Sequence, residues 1–120
     1  MRKQGLTLAR VDAALKALAE PRRREILRLV WSRELAAGDI AAHFEHVTRS
    51  AVSQHLGVLR EADLVAERCD GTRRMYRARR ETVKELSRFL DDYWTAGLER
   101  LRDVAEVAER KARGRKRPDG

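Results

Sequence analysis

The sequence predicts one mainly α-helical domain that carries a small β-hairpin and ends in a long helix. Apolar residues recur every three or four positions along most of residues 9–109, and this pattern is typical of amphipathic helices. The pattern changes to extended, strand-like runs only between Val65 and Arg77. A chain of 120 residues is long enough for one modest core. We therefore assign residues 1–8 to a frayed N-terminus, 9–109 to the domain and 110–120 to a basic, disordered tail.

The charge balance favours a polyanionic partner. Lys and Arg total 27 against 19 Asp and Glu, which gives a formal net charge of +8. A soluble basic helical protein without such a partner is the alternative. The single cysteine, Cys69, excludes an intramolecular disulfide and fits a reducing compartment. No apolar run suggests a membrane span and Met1–Gln4 precede no apolar signal core, so we expect a cytoplasmic protein.

Three helices are predicted before residue 45. The first runs from about Ala9 to the residue before Pro21, since proline starts a helix well but cannot continue one. The second spans Arg22 to about Arg33, and the third spans Ala37–Phe44. Arginines at 22, 23, 24 and 28 oppose the dipole at the start of the second helix, which indicates a compensating anion. Glu20, Glu25 or a DNA phosphate could supply that anion.

The helix predicted over residues 48–63 has an unusual outer side. Thr48 is a suitable N-cap, and the side formed by Val52, Leu56, Leu59 and Ala62 is apolar, with His55 at its border. The first two turns of the other side are small and rich in short hydrogen-bonding groups, as required to enter a DNA major groove about 12 Å wide. An ordinary amphipathic helix is the alternative. The predicted DNA contacts from this helix are Thr48, Arg49, Ser50, Ser53, Gln54, Gly57 and Arg60.

A β-hairpin should follow this helix directly. Asp70-Gly71 is a strong two-residue turn signal, and it predicts that Cys69 faces Thr72, Glu67 faces Arg74 and Val65 faces Tyr76. Arginines then gather near the tip, where they can reach a phosphate backbone; a solvated strand edge is the alternative. The predicted DNA contacts from this wing are Arg68, Arg73 and Arg74. Helix, turn, helix and hairpin together predict a winged helix-turn-helix fold.

The long helix from about Arg80 has more apolar surface than a small domain can cover. We therefore expect an isologous homodimer through this helix, with packing wholly inside one chain as the alternative. The predicted interface consists of Val83, Leu86, Leu90, Tyr93, Trp94, Gly97, Leu98 and Leu101.

The order of these motifs resembles the ArsR-type winged helix-turn-helix repressors. The resemblance rests on four segments: Ala17–Leu27, Ala37–Ala41, the run Ser50–Leu56 with Leu59–Val65, and Gly71–Tyr76. It implies a homodimeric bacterial transcriptional repressor on a palindromic operator, with Ser53 and Gln54 in the major groove. A final helix containing Phe89, Tyr93 and Trp94 resembles a metal-independent branch of the family.

The departures from the family's metal sensors argue against a metal site. Residues 34–39 lack a Cys-x-Cys pair, and no histidine follows His55. His43, His46 and His55 lack the convergence that a site of three or four imidazoles needs, so each is predicted to be structural or at the surface. No nucleophile elbow or Gly-rich phosphate loop is present, so we expect neither an enzyme nor a cofactor.

Two hypotheses remain, a sequence-specific repressor and a protein-interaction module with only non-specific DNA affinity. Cys69 is expected to be exposed beside Arg68 and Arg73, which would favour its thiolate. A redox role for this cysteine and a small-molecule effector are both left open.

Overall fold

A computed structural model describes residues 7–114, which form five helices and three short strands. In chain order these are α1 (Leu8–Leu18), α2 (Pro21–Leu29), β1 (Leu35–Ala36), α3 (Ala37–Ala41), α4 (Arg49–Glu61), β2 (Val65–Asp70), β3 (Arg73–Ala78) and α5 (Arg80–Gly114). The chain divides into two compact units, one up to Leu86 and one from Ser87 onward. The predicted mainly helical fold with a winged helix-turn-helix is confirmed.

The junction between α1 and α2 explains most of the arginine cluster. The Glu20 carboxylate caps α2 by accepting from the Arg22 amide at 2.7 Å. Arg23 and Arg24 reach back to α1, where their guanidinium groups donate to the carbonyls of Ala17 at 2.6 Å and Leu18 at 2.7 Å. Such contacts satisfy carbonyls that a helix leaves open at its C-terminal end. Arg28 pairs with Glu25 at 3.0 Å, so groups of the chain itself, Glu25 and the end of α1, are partners of three of the four arginine side chains.

The core of the first unit is formed where α4 packs against α1, α2, α3 and the sheet. The largest fully buried side chains are Ile26, Val30, Ile40, Val52, Leu56, Leu59, Leu64 and Val65. The predicted apolar side of α4 is confirmed in full, since Ala62 is buried as well. Leu15 belongs to the apolar stripe that the helical spacing predicts for α1, yet it is 42% exposed; the small Ala17 takes an inward position instead.

The sheet has three antiparallel strands in the order β1-β3-β2, one more than predicted. The additional strand is the two-residue β1, which pairs Leu35 with Tyr76 and Ala36 with Met75. A run of two residues is too short to show a period of two, which is why the sequence pattern missed it. The base of the sheet is joined to the helices through the Ala78 amide, which donates to the Val30 carbonyl at 2.9 Å.

The predicted register of the hairpin is wrong by two residues. Asp70 pairs with Arg73, Cys69 with Arg74, Glu67 with Tyr76 and Val65 with Ala78. The loop is Gly71-Thr72 because Gly71 has φ +66°, and glycine is the residue that takes positive φ at the first position of a two-residue hairpin loop. A shift of two residues leaves every side chain on its predicted face of the sheet.

Several helix ends also differ from those predicted. Helix α2 ends at Leu29 rather than near Arg33, and α3 ends at Ala41 rather than Phe44. Helix α5 continues to Gly114, so Arg110–Arg113 of the predicted tail are helical, whereas residues 115–120 lie outside the described residues. At the other end Thr7 caps α1, and residues 1–6 of the predicted frayed N-terminus lie outside the described residues. No helix between residues 7 and 114 has the length and apolar character that a membrane span needs.

Asp63 ties three elements together at the end of α4. Its backbone is left-handed, with φ +65°. Its carboxylate accepts from Arg10 at 2.5 Å and from the Thr82 hydroxyl at 3.3 Å, and it forms an ion pair with Arg79 at 3.2 Å. Arg10 lies on α1, Thr82 lies in the first turn of α5, and Arg79 immediately precedes that helix. One side chain thus joins the start of α5 to the first helix, and the backbone beneath it makes the turn from α4 into β2.

We expect Asp63→Asn and Asp63→Ala to differ in stability. Asparagine tolerates positive φ, but it cannot form the two ion pairs. Because both pairs are half-exposed, their loss should lower the free energy of unfolding by about 1 kcal/mol. Alanine also loses the pairs and adds the left-handed backbone cost of about 1 kcal/mol. Urea unfolding measures both, with Asp63→Gly as the control that removes the pairs without that backbone cost. Equal stability of the alanine and asparagine variants would contradict this account.

Candidate nucleic-acid interface

The outer side of α4 is open to solvent in the way the sequence predicts. The helix begins after Thr48, whose hydroxyl accepts from the Ala51 amide at 3.0 Å. The predicted contact residues all lie along one side of this helix or at its cap; Gly57 is half-buried and the other six, Thr48, Arg49, Ser50, Ser53, Gln54 and Arg60, are exposed. Arg49 is the only charged residue in the first two turns, so this end of the helix presents mainly hydroxyl and amide groups.

A groove of about 660 Å³ separates this side of α4 from the hairpin. Four arginines line it: Arg49 and Arg60 from α4, and Arg73 and Arg74 from β3. Ser53 and Gly57 lie between the two helix arginines, and the start of α3 closes one end at Gly38 and Asp39. The structure therefore brings four of the seven predicted helix contacts and two of the three predicted wing contacts to one groove. The residues that do not line it are Thr48, Ser50, Gln54 and Arg68. The site residues that sequence reasoning missed are the acidic ones described next.

Each of the three predicted wing arginines forms an ion pair, which the sequence did not predict. Arg68 binds Glu34 through two bonds of 2.9 and 2.6 Å, and the hydrogen bond to Arg68 lowers the Glu34 pKa. Arg73 binds Asp39 at 3.0 Å, and Arg74 binds Glu67 at 3.1 Å. These carboxylates belong to three different parts of the chain. The pairs of Arg68 and Arg73 therefore hold the hairpin to the segment around β1 and α3, whereas the pair of Arg74 joins the two strands of the hairpin.

Glu67 connects the hairpin to the last turn of α4. Its carboxylate accepts from Arg60 at 2.6 Å and from the Tyr76 hydroxyl at 3.3 Å, in addition to Arg74. The hydrogen bond from Arg60 is the main reason that the Glu67 pKa lies below its usual range. Burial, and then the Glu67 charge, raise the pKa of Tyr76. Arg60, predicted as a DNA contact, thus also fixes the hairpin relative to α4.

His55 lies on the inner border of α4 as a neutral imidazole. Its Nδ1 is 3.3 Å from a guanidinium nitrogen of Arg23. Because arginine can only donate, Nδ1 must accept and the ring proton must be on Nε2. Burial, followed by the Arg23 charge, lowers the pKa of His55. The prediction that this histidine is structural fits these contacts.

The remaining predicted residues have simple surroundings. His43 is exposed, with Nδ1 3.1 Å from the Asp39 carbonyl, and His46 occupies the turn before α4 with φ 63°. Cys69 is exposed as predicted and faces Arg74 across the hairpin. Within residues 7–114 no three His, Cys, Asp or Glu side chains are grouped so that they could hold a metal ion.

The proposed interface residues of α5 differ in exposure. Leu86 is buried within the first unit and Val83 and Gly97 are half-buried. The other five, Leu90, Tyr93, Trp94, Leu98 and Leu101, are exposed in the single chain. Packing inside the chain therefore accounts for Leu86 and leaves an apolar row on the helix from Leu90 onward.

The sequence between α2 and the hairpin matches a known family model. Residues 20–67 match the model described as bacterial regulatory protein, arsR family. The HTH-type transcriptional regulator Rv2034 of Mycobacterium tuberculosis is 42% identical over 87 residues, which is 72% of this chain and 80% of that protein. The chain belongs to the ArsR family. It is a DNA-binding transcriptional regulator, not an enzyme, as the sequence predicted.

Other regulators are similar to this chain in sequence or in fold. The transcriptional repressor SdpR of Bacillus subtilis is 38% identical over 61 residues, 51% of this chain and 67% of that protein. An ArsR-like transcriptional regulator from Rhodococcus sp. RHA1 superimposes with a TM-score of 0.73 at 26% identity, covering 83% of this chain and 93% of that one. NolR from Sinorhizobium fredii gives a TM-score of 0.56 at 32% identity, covering 76% and 97%.

We expect His55 to make this regulator less stable in mild acid. Its pKa in the folded chain lies below the ordinary value of 6.5, so the unfolded chain takes up the proton first as the pH falls. Wild type should therefore lose stability relative to His55→Gln as the pH falls below about 6.5, and the difference should be constant above that value. Urea unfolding at about pH 7.5 and 5.5 measures this. A difference that does not change with pH would contradict the assignment.

Proposed function

We propose that the chain is a homodimeric repressor that binds a palindromic operator, with α4 in the major groove and the hairpin against the phosphate backbone. The observation that carries this proposal is the groove itself. An uncharged hydrogen-bonding helix face on one side suits base edges, and arginines around it suit phosphates. The net charge of +8 supports attraction to DNA as a whole.

Repression is proposed from the related proteins. SdpR is named a transcriptional repressor, and the arsenical resistance operon repressor of Staphylococcus xylosus is 33% identical over 81 residues. HlyU of Vibrio cholerae, 34% identical over 82 residues, is named a transcriptional activator. A protein that binds an operator overlapping a promoter blocks transcription, so the position of the operator decides between these effects. A cytoplasmic location follows from the proposed partner.

Metal-independent DNA binding is also part of the proposal. The segment Glu34–Asp39 holds no cysteine, and its two carboxylates at 34 and 39 are engaged with Arg68 and Arg73. The two carboxylates of this segment are therefore used to hold the hairpin and are not free to bind a metal ion. A gel shift in the presence of a strong chelator should therefore match one without it.

We expect substitutions in α4 and in the hairpin to have different effects on DNA binding. Gln54 can bond a base edge through two atoms, so Gln54→Ala should cost about 1 to 3 kcal/mol on the operator and little on random DNA. Replacing Arg73 and Arg74 together by Ala should weaken both, and flatten the log-log salt dependence by about 0.9 for each phosphate that the hairpin no longer binds.

Salt titrations on an operator selected from random duplexes and on a scrambled duplex separate these effects. The matched control replaces Arg33 and Lys84, which do not line the groove, by Ala. If Gln54→Ala weakens binding to both duplexes equally while the hairpin variant alone loses discrimination, the two surfaces have been assigned the wrong way round.

We expect Leu98→Arg to convert a dimer into a monomer. Leu98 is 48% exposed in the single chain, so arginine there should leave the monomer folded but place an unpaired charge in the proposed interface. Ala96→Arg is the control, because a separation of two residues turns the side chain by about 200° to the other side of the helix. Light scattering at micromolar concentration measures the mass. A monomeric wild type, or dissociation by both variants, would contradict the interface.

A further inference from the structure

One ion pair joins α3 to the hairpin along the groove. Arg73, the first residue of β3, binds Asp39 of α3 with 3.0 Å between its Nη2 and the Asp39 Oδ2. Both residues line the groove, and their side chains are 58% and 54% exposed. The pair therefore lies on the same surface that is proposed to meet DNA. A phosphate that approaches Arg73 also approaches the carboxylate of Asp39.

The Asp39 carboxylate makes fewer bonds than the carboxylates of the other two wing pairs. Glu34 binds Arg68 through two bonds, and Glu67 has three partners. The side chain of Asp39 makes one bond among the described residues, to Arg73. Exposed single pairs contribute little to stability. Arg73 can thus change partner at small cost, whereas Arg68, with two bonds to Glu34, is more firmly engaged.

A phosphate is a good replacement for this carboxylate, because guanidinium groups bind both in the same geometry. Arg73 and the carboxylate of Asp39 largely neutralise each other while they are paired. Charge supplies essentially all of the affinity for random DNA. The paired Arg73 therefore adds little to that affinity. On an operator, base contacts bring the backbone close enough for Arg73 to transfer from Asp39 to a phosphate.

We propose that Asp39 is a specificity-determining residue that withholds Arg73 from random DNA and releases it when α4 is seated in its operator. The proposal rests on the DNA-binding mode proposed above. Its consequence is a penalty that falls on non-specific complexes more than on the specific one. An acidic residue on a DNA-binding surface thereby raises the ratio of operator affinity to random affinity, although it lowers attraction to DNA overall.

The test is Asp39→Asn, which keeps the shape of the side chain and removes its charge. Binding to a random duplex should strengthen by about fivefold, the upper end of what an exposed pair contributes, with a salt slope steeper by about 0.9. Binding to the selected operator should strengthen by less than about twofold, so discrimination falls. Fluorescence anisotropy across a salt series measures both, and Asp39→Glu should restore the wild-type ratio.

Two controls separate a pairing effect from a general charge effect. Asp70→Asn removes one negative charge from the same hairpin. Asp70 lies opposite Arg73 in the strand pairing, but among residues 7–114 the ion pair of Arg73 is with Asp39. It should leave the ratio of operator to random binding unchanged. In an Arg73→Gln background, Asp39→Asn should have no larger effect than Asp70→Asn.

Equal effects of Asp39→Asn and Asp70→Asn, or equal strengthening on operator and random DNA, would overturn the assignment. Failure of the proposed function would give a different result in the same measurements, because the wild-type protein would then bind all duplexes equally. In that case the random-duplex measurements still decide about Asp39: a steeper slope that depends on Arg73 supports the withheld cation, and an unchanged slope rejects it.

Discussion

Burial of one side of α4 is the constraint on which the rest of the first unit depends. Val52, Leu56 and Leu59 are at most 1% exposed, and together they fill the space between the other helices and the sheet. A helix that buries one side this completely has only the other side left for recognition. The position of Ser53 and Gln54 on the open side is therefore a consequence of core packing. Any change that rotated the helix would expose apolar surface before it altered the groups proposed to face DNA.

The hairpin depends on the same helix through both its ends and its charges. Leu64 and Val65 are buried at the point where the chain leaves α4, so the first strand starts from the core. Glu67 then binds Arg60 from the last turn of the helix, and Glu34 binds Arg68 from the connection before α3. These ion pairs are weak individually, but they act between elements already placed by burial. Helix and hairpin can consequently meet a duplex as one surface.

The sequence was sufficient to predict the order of the helices and the hairpin, the buried side of α4 and the exposure of six of the seven residues predicted to contact DNA, because each depends on local periodicity or capping. It was insufficient for β1, which is too short to have a period, and for the hairpin register, where Asp70-Gly71 and Gly71-Thr72 are competing loops. The sequence could not predict the ion pairs of the hairpin for a different reason. Arg68 and Glu34 are 34 residues apart, as are Arg73 and Asp39, and no spacing rule links charges at that distance. A cluster of arginines with acidic residues elsewhere indicates pairing in general but not the partners.

The two-residue strand β1 limits how the chain length can vary. Leu35 and Ala36 are paired with β3, and α3 begins immediately afterwards at Ala37. One residue inserted just before β1 would move Ala36 from its buried position or displace Glu34 from Arg68, because neighbouring strand residues face opposite ways. In the loop Gly71-Thr72 no such combination of a buried residue and an ion pair fixes the length, and there is open space around Gly71. Length variation among descendants of this sequence should therefore accumulate at the hairpin tip, while the connection between α2 and α3 keeps its length.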